Sequence, residues 1–219
     1  MTTIRRFIGR TGILVLLVAL AALLGSTVAS AGNPEAGSIQ RLTFDELPFQ
    51  PVDGLSYRGV AFNFTVGSAP SLDANYNSGG PGQLVFVQDP SLEGNATGVL
   101  TLTFDEPTNV LAFGAALSSG GTLRTGFAVE LFAPDGHSRS ITAVRTRSLR
   151  GFTEGRFSYA GLAVKRAVIR FNPYVAPRFA FDNLSYQGTA TTADASPTTP
   201  DNGTRPGPVW PTAIAPGAE

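Results

Sequence analysis

The 219-residue sequence has no cysteine and only one histidine, His137. Without cysteine, a disulfide framework, a thiolate-held zinc or iron–sulfur centre and a cysteine nucleophile are all excluded. A single histidine likewise excludes a metal site built on several imidazoles. The sequence also lacks a G-x-S-x-G elbow, and His137 stands in a Pro-Asp-Gly-His turn, where we expect a solvated side chain rather than a member of a catalytic triad.

Charged residues make up only 15% of the chain, and the 16 basic side chains equal the 16 acidic ones in number. Three of the basic residues, Arg5, Arg6 and Arg10, lie in an N-terminal segment that we expect to be removed. Taking three from 16 leaves 13 basic side chains against 16 acidic ones, a net charge of about −3. This balance does not predict a nucleic-acid partner.

Residues 1–31 have the three parts of an export signal. A basic start is followed by the apolar run Ile13–Leu24 and then by small residues that end in Ala29-Ser30-Ala31. The apolar run is shorter than the roughly 20 residues that a membrane-spanning helix needs. We therefore predict a signal peptide cleaved after Ala31 and a secreted, extracellular or cell-envelope protein with no membrane span after cleavage. The alternative is an uncleaved N-terminal anchor.

The other end of the chain, residues 188–219, is rich in Thr, Pro, Ala and Gly. A segment of this composition buries too little apolar surface to offset the entropy lost on ordering, so we predict a disordered tail. With residues 32–37 as a short linker, one domain remains at residues 38–187.

Apolar and more polar residues alternate along short segments of this domain. In Val60–Val66, valine and phenylalanine alternate with smaller or polar residues, and Leu100–Phe104 repeats the pattern. A period of two predicts half-buried strands, and clusters of Gly, Pro and Ser between the segments predict turns. No segment sustains a helical period. We therefore predict an all-β fold, an antiparallel β-sandwich or jelly roll of about nine or ten strands.

The alternation slips by one residue in the last predicted strand. Phe179 and Phe181 share one face by odd numbering, whereas Leu184 and Tyr186 share a face by even numbering. A β-bulge between them would restore the register and redirect the polar side chains that it contains. The sequence therefore predicts a bulge at Asp182-Asn183.

Two identical segments, Leu42–Glu46 and Leu102–Glu106, place two carboxylates after an inward phenylalanine at what we predict to be strand ends. If the first and last strands are neighbours, Asp45, Glu46, Asp182 and Asn183 could converge. Calcium prefers several carboxylate and carbonyl oxygens, so these four residues are the candidate ligands of a structural calcium ion. The alternative is that the carboxylates are merely solvated.

Aromatic residues beside hydrogen-bonding side chains are typical of sugar sites. Tyr76 lies between Asn75 and Asn77, and Tyr174 follows Asn172-Pro173, both in predicted loops. These tyrosines are candidate carbohydrate platforms, and the alternative is that they cover the edge of the core.

Five arginines fall within one segment of the domain. They are Arg139, Arg145, Arg147, Arg150 and Arg156. A charged edge strand that resists aggregation would account for them, and the alternative is a docking surface for an acidic polysaccharide.

The opening Leu42–Pro48, the following Tyr57–Phe62 and the close Phe179–Tyr186 resemble the first and last strands of exported bacterial β-sandwich domains. Domains of this kind are found in PEP-CTERM-type proteins, although this chain lacks the Pro-Glu-Pro sorting motif. Their sandwich is similar to galactose-binding-like carbohydrate modules. The resemblance therefore implies carbohydrate binding, with a structural calcium ion near the ends of the domain.

These features together predict a secreted, non-catalytic module that binds extracellular carbohydrate. One alternative is a structural protein of the cell envelope or matrix that acts through protein contacts. A glycan-active hydrolase is less favoured, because no spacing in the sequence identifies the opposed carboxylates that hydrolysis needs.

Overall fold

The structure, a computed structural model, describes residues 37–47, 49–77 and 80–188, without the side chains of residues 75–77. Eleven strands and no helix occur in this part of the chain. The strands are β1 (Ile39–Leu42), β2 (Ser56–Tyr57), β3 (Val60–Val66), β4 (Ala69–Pro70), β5 (Ala74–Asn77), β6 (Ser91–Asn95), β7 (Val99–Leu117), β8 (Leu123–Phe132), β9 (Ser138–Leu149), β10 (Phe152–Phe171) and β11 (Arg178–Gln187). Within the described residues, no helix is both long and apolar enough to cross a membrane.

The prediction of an all-β antiparallel fold is confirmed, since every strand pairing is antiparallel. The count is slightly above the nine or ten predicted because β2 and β4 have only two residues each. Such short pairs leave too little alternation to be recognised in a sequence. The predicted signal peptide, most of the linker and residues 189–219 of the tail lie outside the described residues and stay predictions.

The long strands β7 and β10 join two layers of the sandwich. At its start β7 pairs with β3 and buries Leu100 and Leu102, whereas at its end it pairs with β11 and buries Leu111 and Phe113. The buried parity therefore changes from even to odd within one strand. We call the layer with β5, β6, β11 and β1 the first layer, and the layer with β3, β8 and β9 the second layer.

Aromatic side chains fill the space between the two layers. Phe64 of the second layer lies 5.8 Å from Phe179 of the first, centroid to centroid, and Phe127 lies 6.0 Å from Phe113 in the same way. Phe171 stacks on Phe179 at 3.8 Å. Burying such a side chain contributes about 1.5–3 kcal/mol, so these rings stabilise a domain that has no disulfide.

The second copy of the repeated segment is not a strand end, which corrects the sequence prediction. Phe104 is buried as expected, but β7 runs on through Asp105 and Glu106 to Leu117. The strand continues because pairing with β10 resumes after a register shift near Thr108. The predicted pair of strand-end carboxylates therefore exists only at Asp45 and Glu46.

The bulge predicted for the last strand is present, and the first and last strands are neighbours, which was the condition for Asp45 and Asp182 to converge. Strand β1 pairs with β11, with Leu42 opposite Leu184. The pairing of β11 with β7 shifts register between Asp182 and Ser185, and Asn183 has a left-handed φ of 56°. Asparagine tolerates this conformation better than most residues, so the bulge suits the residue that occupies it.

Candidate functional site

The outer face of the first layer, opposite the core, has a floor of small side chains. One row of paired residues crosses four strands of this face. Its members, in order from β1 through β11 and β7 to β10, are Arg41, Ser185, Ala112 and Ser158. Because successive side chains of a strand point to opposite faces, these four share the face that the core does not use. Small residues at the centre of this row leave room above the sheet.

The next row of the same face supports a loop. Asp182 lies opposite Gly114, which lies opposite Arg156. A Cβ atom at Gly114 would stand 2.0 Å from the Phe86 carbonyl oxygen, so only glycine allows the backbone of residue 86 to lie directly on the sheet. Residues 80–90 are called the covering loop below.

Two buried carboxylates hold the covering loop in place. Glu154 is only 5% exposed, and its two oxygens accept hydrogen bonds from the backbone N–H groups of Val85 (3.1 Å) and Phe86 (2.9 Å). Asp182 accepts a hydrogen bond from the backbone N–H of Gln88 at 2.9 Å. Buried carboxylates need such donors, and here three loop amides supply them, so the sheet beneath the loop fixes its conformation.

The bulge residue Asn183 connects this loop to β1. Its side-chain nitrogen donates to the Phe86 carbonyl (3.1 Å) and to Gln88 Oε1 (2.7 Å). Its side-chain oxygen accepts a hydrogen bond from the Arg41 guanidinium at 2.5 Å. The bulge thereby orients an arginine of the first strand and the loop at the same time.

Between this loop and the floor lies a cleft of about 310 Å³, called the arginine cleft below. The side chains that give it its chemistry are Arg41, Phe86, Gln88, Arg156, Asn183 and Ser185. Its volume is at the lower end of the roughly 300–1,000 Å³ typical of small-molecule sites. None of the described residues that line it is acidic, and its two charged residues are both arginines.

A second cavity of about 340 Å³ shares Arg41, Gln88 and Asn183 with the cleft and is called the acidic cavity below. Asp45, Asp89 and Asp182 line it together with Arg41 and Asn183. Burial raises the pKa of Asp182 to about 7, despite the lowering effect of its hydrogen bonds from the Gln88 and Asn183 backbones. Burial also raises the pKa of Asp89. Arg41 thus borders both cavities, whereas Arg156 lines only the arginine cleft and the three aspartates line only the acidic cavity.

Three of the four residues proposed as calcium ligands line this acidic cavity, namely Asp45, Asp182 and Asn183. Glu46 does not join them, because it pairs with Arg58 at 3.5 Å and accepts a hydrogen bond from Thr43. This placement corrects the predicted ligand set.

The remaining donors do not fit a calcium ion in this arrangement. The oxygens of Asp182 accept hydrogen bonds from the backbone amides of Gln88 and Asn183, and the Asn183 oxygen accepts one from Arg41. A guanidinium at the wall of a cation site is also unfavourable. In the described part of the chain, no group of three or more acidic or histidine side chains could hold a metal ion.

The residues predicted to bind sugar are placed differently from one another. Asn75, Tyr76 and Asn77 belong to the edge strand β5 rather than to a loop, with Tyr76 opposite Leu92, and their side chains lie outside the described part. Tyr174 is in a loop as predicted and is 96% exposed. It is not among the residues that line the arginine cleft, and its role as a platform stays a prediction.

The five clustered arginines do not form one patch. Arg145 and Arg147 of β9 are exposed and alternate with the buried Val144 and Thr146, as expected for a charged edge. Arg150 instead donates to the Gln83 carbonyl of the covering loop at 3.1 Å. Arg156, on β10, lines the arginine cleft.

Sequence reasoning did not single out Arg41, Phe86, Gln88 or Ser185. These residues come from separate parts of the chain, and only strand pairing and the covering loop bring them together. A partial signal was present, since Arg41 and Ser185 occupy strand positions of the parity opposite to the core residues Leu42 and Leu184.

Beside the cleft, Glu93 of β6 is fully buried under the covering loop, opposite Ala180. Burial, with the nearby Asp89, raises its pKa to about 8, although Arg178 and Ser91 act in the opposite direction. The raised pKa favours the protonated form of this carboxyl group near neutral pH.

Several solved structures are similar to this chain at a low level. A family 29 carbohydrate-binding module from Piromyces equi has a TM-score of 0.37 and 14% identity, over 70% of this chain and 93% of the module. A variant of a second family 29 module has a TM-score of 0.35 and 11% identity, over 70% of this chain and 94% of that one. The enzymatically active domain of tailspike protein 4 of bacteriophage CBA120 has a TM-score of 0.35 and 15% identity, over 58% of this chain and 19% of the tailspike chain.

No protein-family model matches the chain, and no curated protein matches it. The resemblance to PEP-CTERM-type domains therefore has no support from these comparisons. At such low TM-scores and identities, the structural likeness carries no argument about the ligand, so a functional assignment rests on the residues of the arginine cleft.

Proposed function

We propose that this protein is a secreted, non-catalytic module that binds extracellular carbohydrate in the arginine cleft. The observation that carries the proposal is the cleft itself, in which an aromatic ring and several hydrogen-bonding side chains surround the small residues Gly114 and Ser185. The export signal predicted at residues 1–31 supports a location where polysaccharides are found.

The groups in the cleft suit a sugar. Phe86 is partly exposed and offers a flat apolar surface to the C–H face of a pyranose ring, while Gln88 and Ser185 can exchange hydrogen bonds with hydroxyl groups. Arg41 adds a planar donor that Asn183 already orients. A site with few apolar groups and several fixed donors favours a polar, hydroxyl-rich ligand.

Hydrogen bonds also preorganise the covering loop before a ligand binds. Glu154, Asp182 and Asn183 each hydrogen-bond the covering loop, so its backbone does not need to be ordered on binding. Avoiding that ordering retains binding free energy that a mobile loop would lose.

Hydrolysis is not the activity that this arrangement favours. A glycoside hydrolase needs two carboxylates that face each other across the substrate. The described lining of the arginine cleft has none, and Asp182, whose pKa is raised to about 7, is only 1% exposed. The oxygens of Asp182 hold backbone amides, which suits a role in positioning the loop.

A glycan array tests the proposal, with the Phe86→Ala variant beside the unmodified protein. We expect binding to at least one polysaccharide and a loss of about tenfold or more in affinity when the ring is removed. The matched control is Phe49→Ala, which removes an exposed phenylalanine ring outside the cleft and should leave affinity unchanged.

Two results would count against this site or this function. If Tyr174→Ala abolishes binding and Phe86→Ala does not, carbohydrate binds at the loop tyrosine instead. If no glycan binds and the protein self-associates or retains envelope proteins, the structural-protein alternative is favoured.

A further inference from the structure

We infer that the arginine cleft takes an acidic polysaccharide, whose carboxylate groups bind between Arg41 and Arg156; this inference rests on the proposed carbohydrate-binding function.

The charge of the cleft is of one sign. Its two ionised side chains are Arg41 and Arg156, and none of the described lining residues can neutralise them from within the cleft. Arg41 also borders the acidic cavity, which Asp45 and Asp182 line. Glu154, two residues before Arg156 on β10, has both of its oxygens bound to the loop amides of Val85 and Phe86. A neutral sugar would leave the Arg156 guanidinium without a counter-charge, whereas a carboxylate bound between the two arginines would supply one.

Arg156 differs from the arginines of the domain that form internal ion pairs. Arg170 pairs with Glu130 at 3.0 Å, and Arg178 pairs with Asp73 at 3.2 Å. Arg156 is exposed and has no hydrogen bond or ion pair with any described residue. A charge left unpaired next to a formed cleft is available to a ligand, and it binds that ligand without breaking an internal contact.

The two arginines are presented in a way that suits a carboxylate. Asn183 fixes Arg41 from one side. Arg156 lies opposite Gly114, on which the backbone of residue 86 rests, so the loop borders Arg156 as well. The planar guanidinium fork binds carboxylates through two parallel hydrogen bonds, an interaction roughly twice as strong as a neutral hydrogen bond.

Positive charge continues beyond the cleft along the neighbouring strand. Arg147 of β9 lies opposite Glu154 of β10, and Arg145 is exposed two residues further along β9. Its backbone lies beside β10, because a Cβ atom at Gly155 would stand 2.6 Å from the Arg145 carbonyl oxygen. A polymer with a carboxylate on each sugar could therefore contact charges both inside and outside the cleft, which a single acidic sugar could not do.

Isothermal titration calorimetry with matched polysaccharides tests the inference. Polygalacturonate, alginate and hyaluronate would each be titrated beside the corresponding carboxyl-reduced, neutral polymer, at low and at physiological salt. We expect at least one acidic polymer to bind about tenfold or more tightly than its neutral form, with affinity falling as salt rises. The Arg156→Gln variant should lose most of that difference.

The control variant is Arg139→Gln, which removes an exposed arginine of β9 outside the cleft and should bind like the unmodified protein. Equal losses in Arg139→Gln and Arg156→Gln would show nonspecific charge attraction and overturn the inference. Equally strong competition by single-stranded DNA would overturn it as well.

The same titrations separate failure of this inference from failure of the proposed function. Equal binding of an acidic polymer and its neutral form would overturn the inference and leave the carbohydrate-binding function standing. If none of the polymers binds and the glycan array is also negative, both fail together.

Discussion

At the scale of single residues, Asn183 connects three parts of the site through one short side chain. It occupies the left-handed position of the bulge, and its amide contacts Arg41, Phe86 and Gln88. An aliphatic residue there could neither orient the arginine nor satisfy the loop carbonyl. One short polar side chain thus links the first strand, the last strand and the covering loop.

Burial of the Glu93 carboxyl group makes the stability of the fold depend on pH. Its pKa rises from 4.5 to about 8 on folding because the carboxyl group is buried. Between these two values the folded state binds more protons than the unfolded state, so the free energy of unfolding falls as pH rises. Asp182, raised from 3.8 to about 7, acts in the same direction.

We therefore predict that the protein is less stable at pH 8.5 than at pH 5, as measured by denaturant unfolding. Glu93→Gln cannot ionise, so this variant should lose less stability over the same range. The control is Glu106→Gln, which replaces an exposed carboxyl group and should behave like the unmodified protein. A stability that rises with pH, or an unchanged pH dependence in Glu93→Gln, would contradict the prediction.

At the scale of elements, the covering loop depends on the strands below it. Leu84 and Val87 of the loop pack against Ala116 and Ala180, which belong to the outer face of the first layer. This small apolar cluster is separate from the main core between the layers. The loop therefore has its own packing as well as its hydrogen bonds to Glu154 and Asp182.

Gly114→Ala tests whether the loop must lie directly on the sheet. The added methyl group would meet the Phe86 carbonyl at 2.0 Å, so we expect the loop to lift, stability to fall by about 1–3 kcal/mol and glycan affinity to decrease. Thermal unfolding and calorimetry would measure the two effects.

The matched control is Gly121→Ala, because a Cβ atom at Gly121 has nothing within 4 Å. This variant should bind and unfold like the unmodified protein. If Gly114→Ala also kept both properties, the close approach of the loop would have no functional importance.

At the scale of the whole molecule, a domain without disulfides is stabilised by the aromatic core between its two layers. A calcium ion near the domain ends was the other stabilising element that the sequence suggested. In the folded protein, the Arg41 guanidinium instead donates a hydrogen bond to Asn183, and Glu46 forms an ion pair with Arg58.

We therefore expect millimolar calcium to leave Tm unchanged, and a chelator to have no effect on a protein purified with calcium. Differential scanning calorimetry would measure both. A rise in Tm with calcium that Asp45→Asn removes and Glu46→Gln retains would contradict this expectation and restore a calcium site at the acidic cavity.

A structural feature of this protein can be predicted from the sequence when it depends only on residues within one segment of the chain. The strands around Phe62 and Phe104 could be predicted because alternation of side chains between two faces is a property of each strand alone. The bulge at Asp182-Asn183 could be predicted for the same reason, since a slip in alternation is visible within one segment.

The site could be predicted only in part, because its residues meet through long-range pairing. Asp45, Asp182 and Asn183 were expected to converge and do so, once β1 lies beside β11. Glu46 was expected with them, but it lies in a turn after β1 and pairs with Arg58 instead. Tyr76 was expected in a loop and belongs to a strand instead.

The sequence by itself determined the all-β class, the burial of the alternating phenylalanines and the bulge in the last strand, because each depends on neighbouring residues of one segment. Only the tertiary structure decided that Arg41, Phe86 and Arg156 border one cleft, and that Asp182 and Glu154 hold its loop. These contacts join residues far apart in the chain, and they form only when the hydrophobic effect brings the two layers together and the strands pair in register.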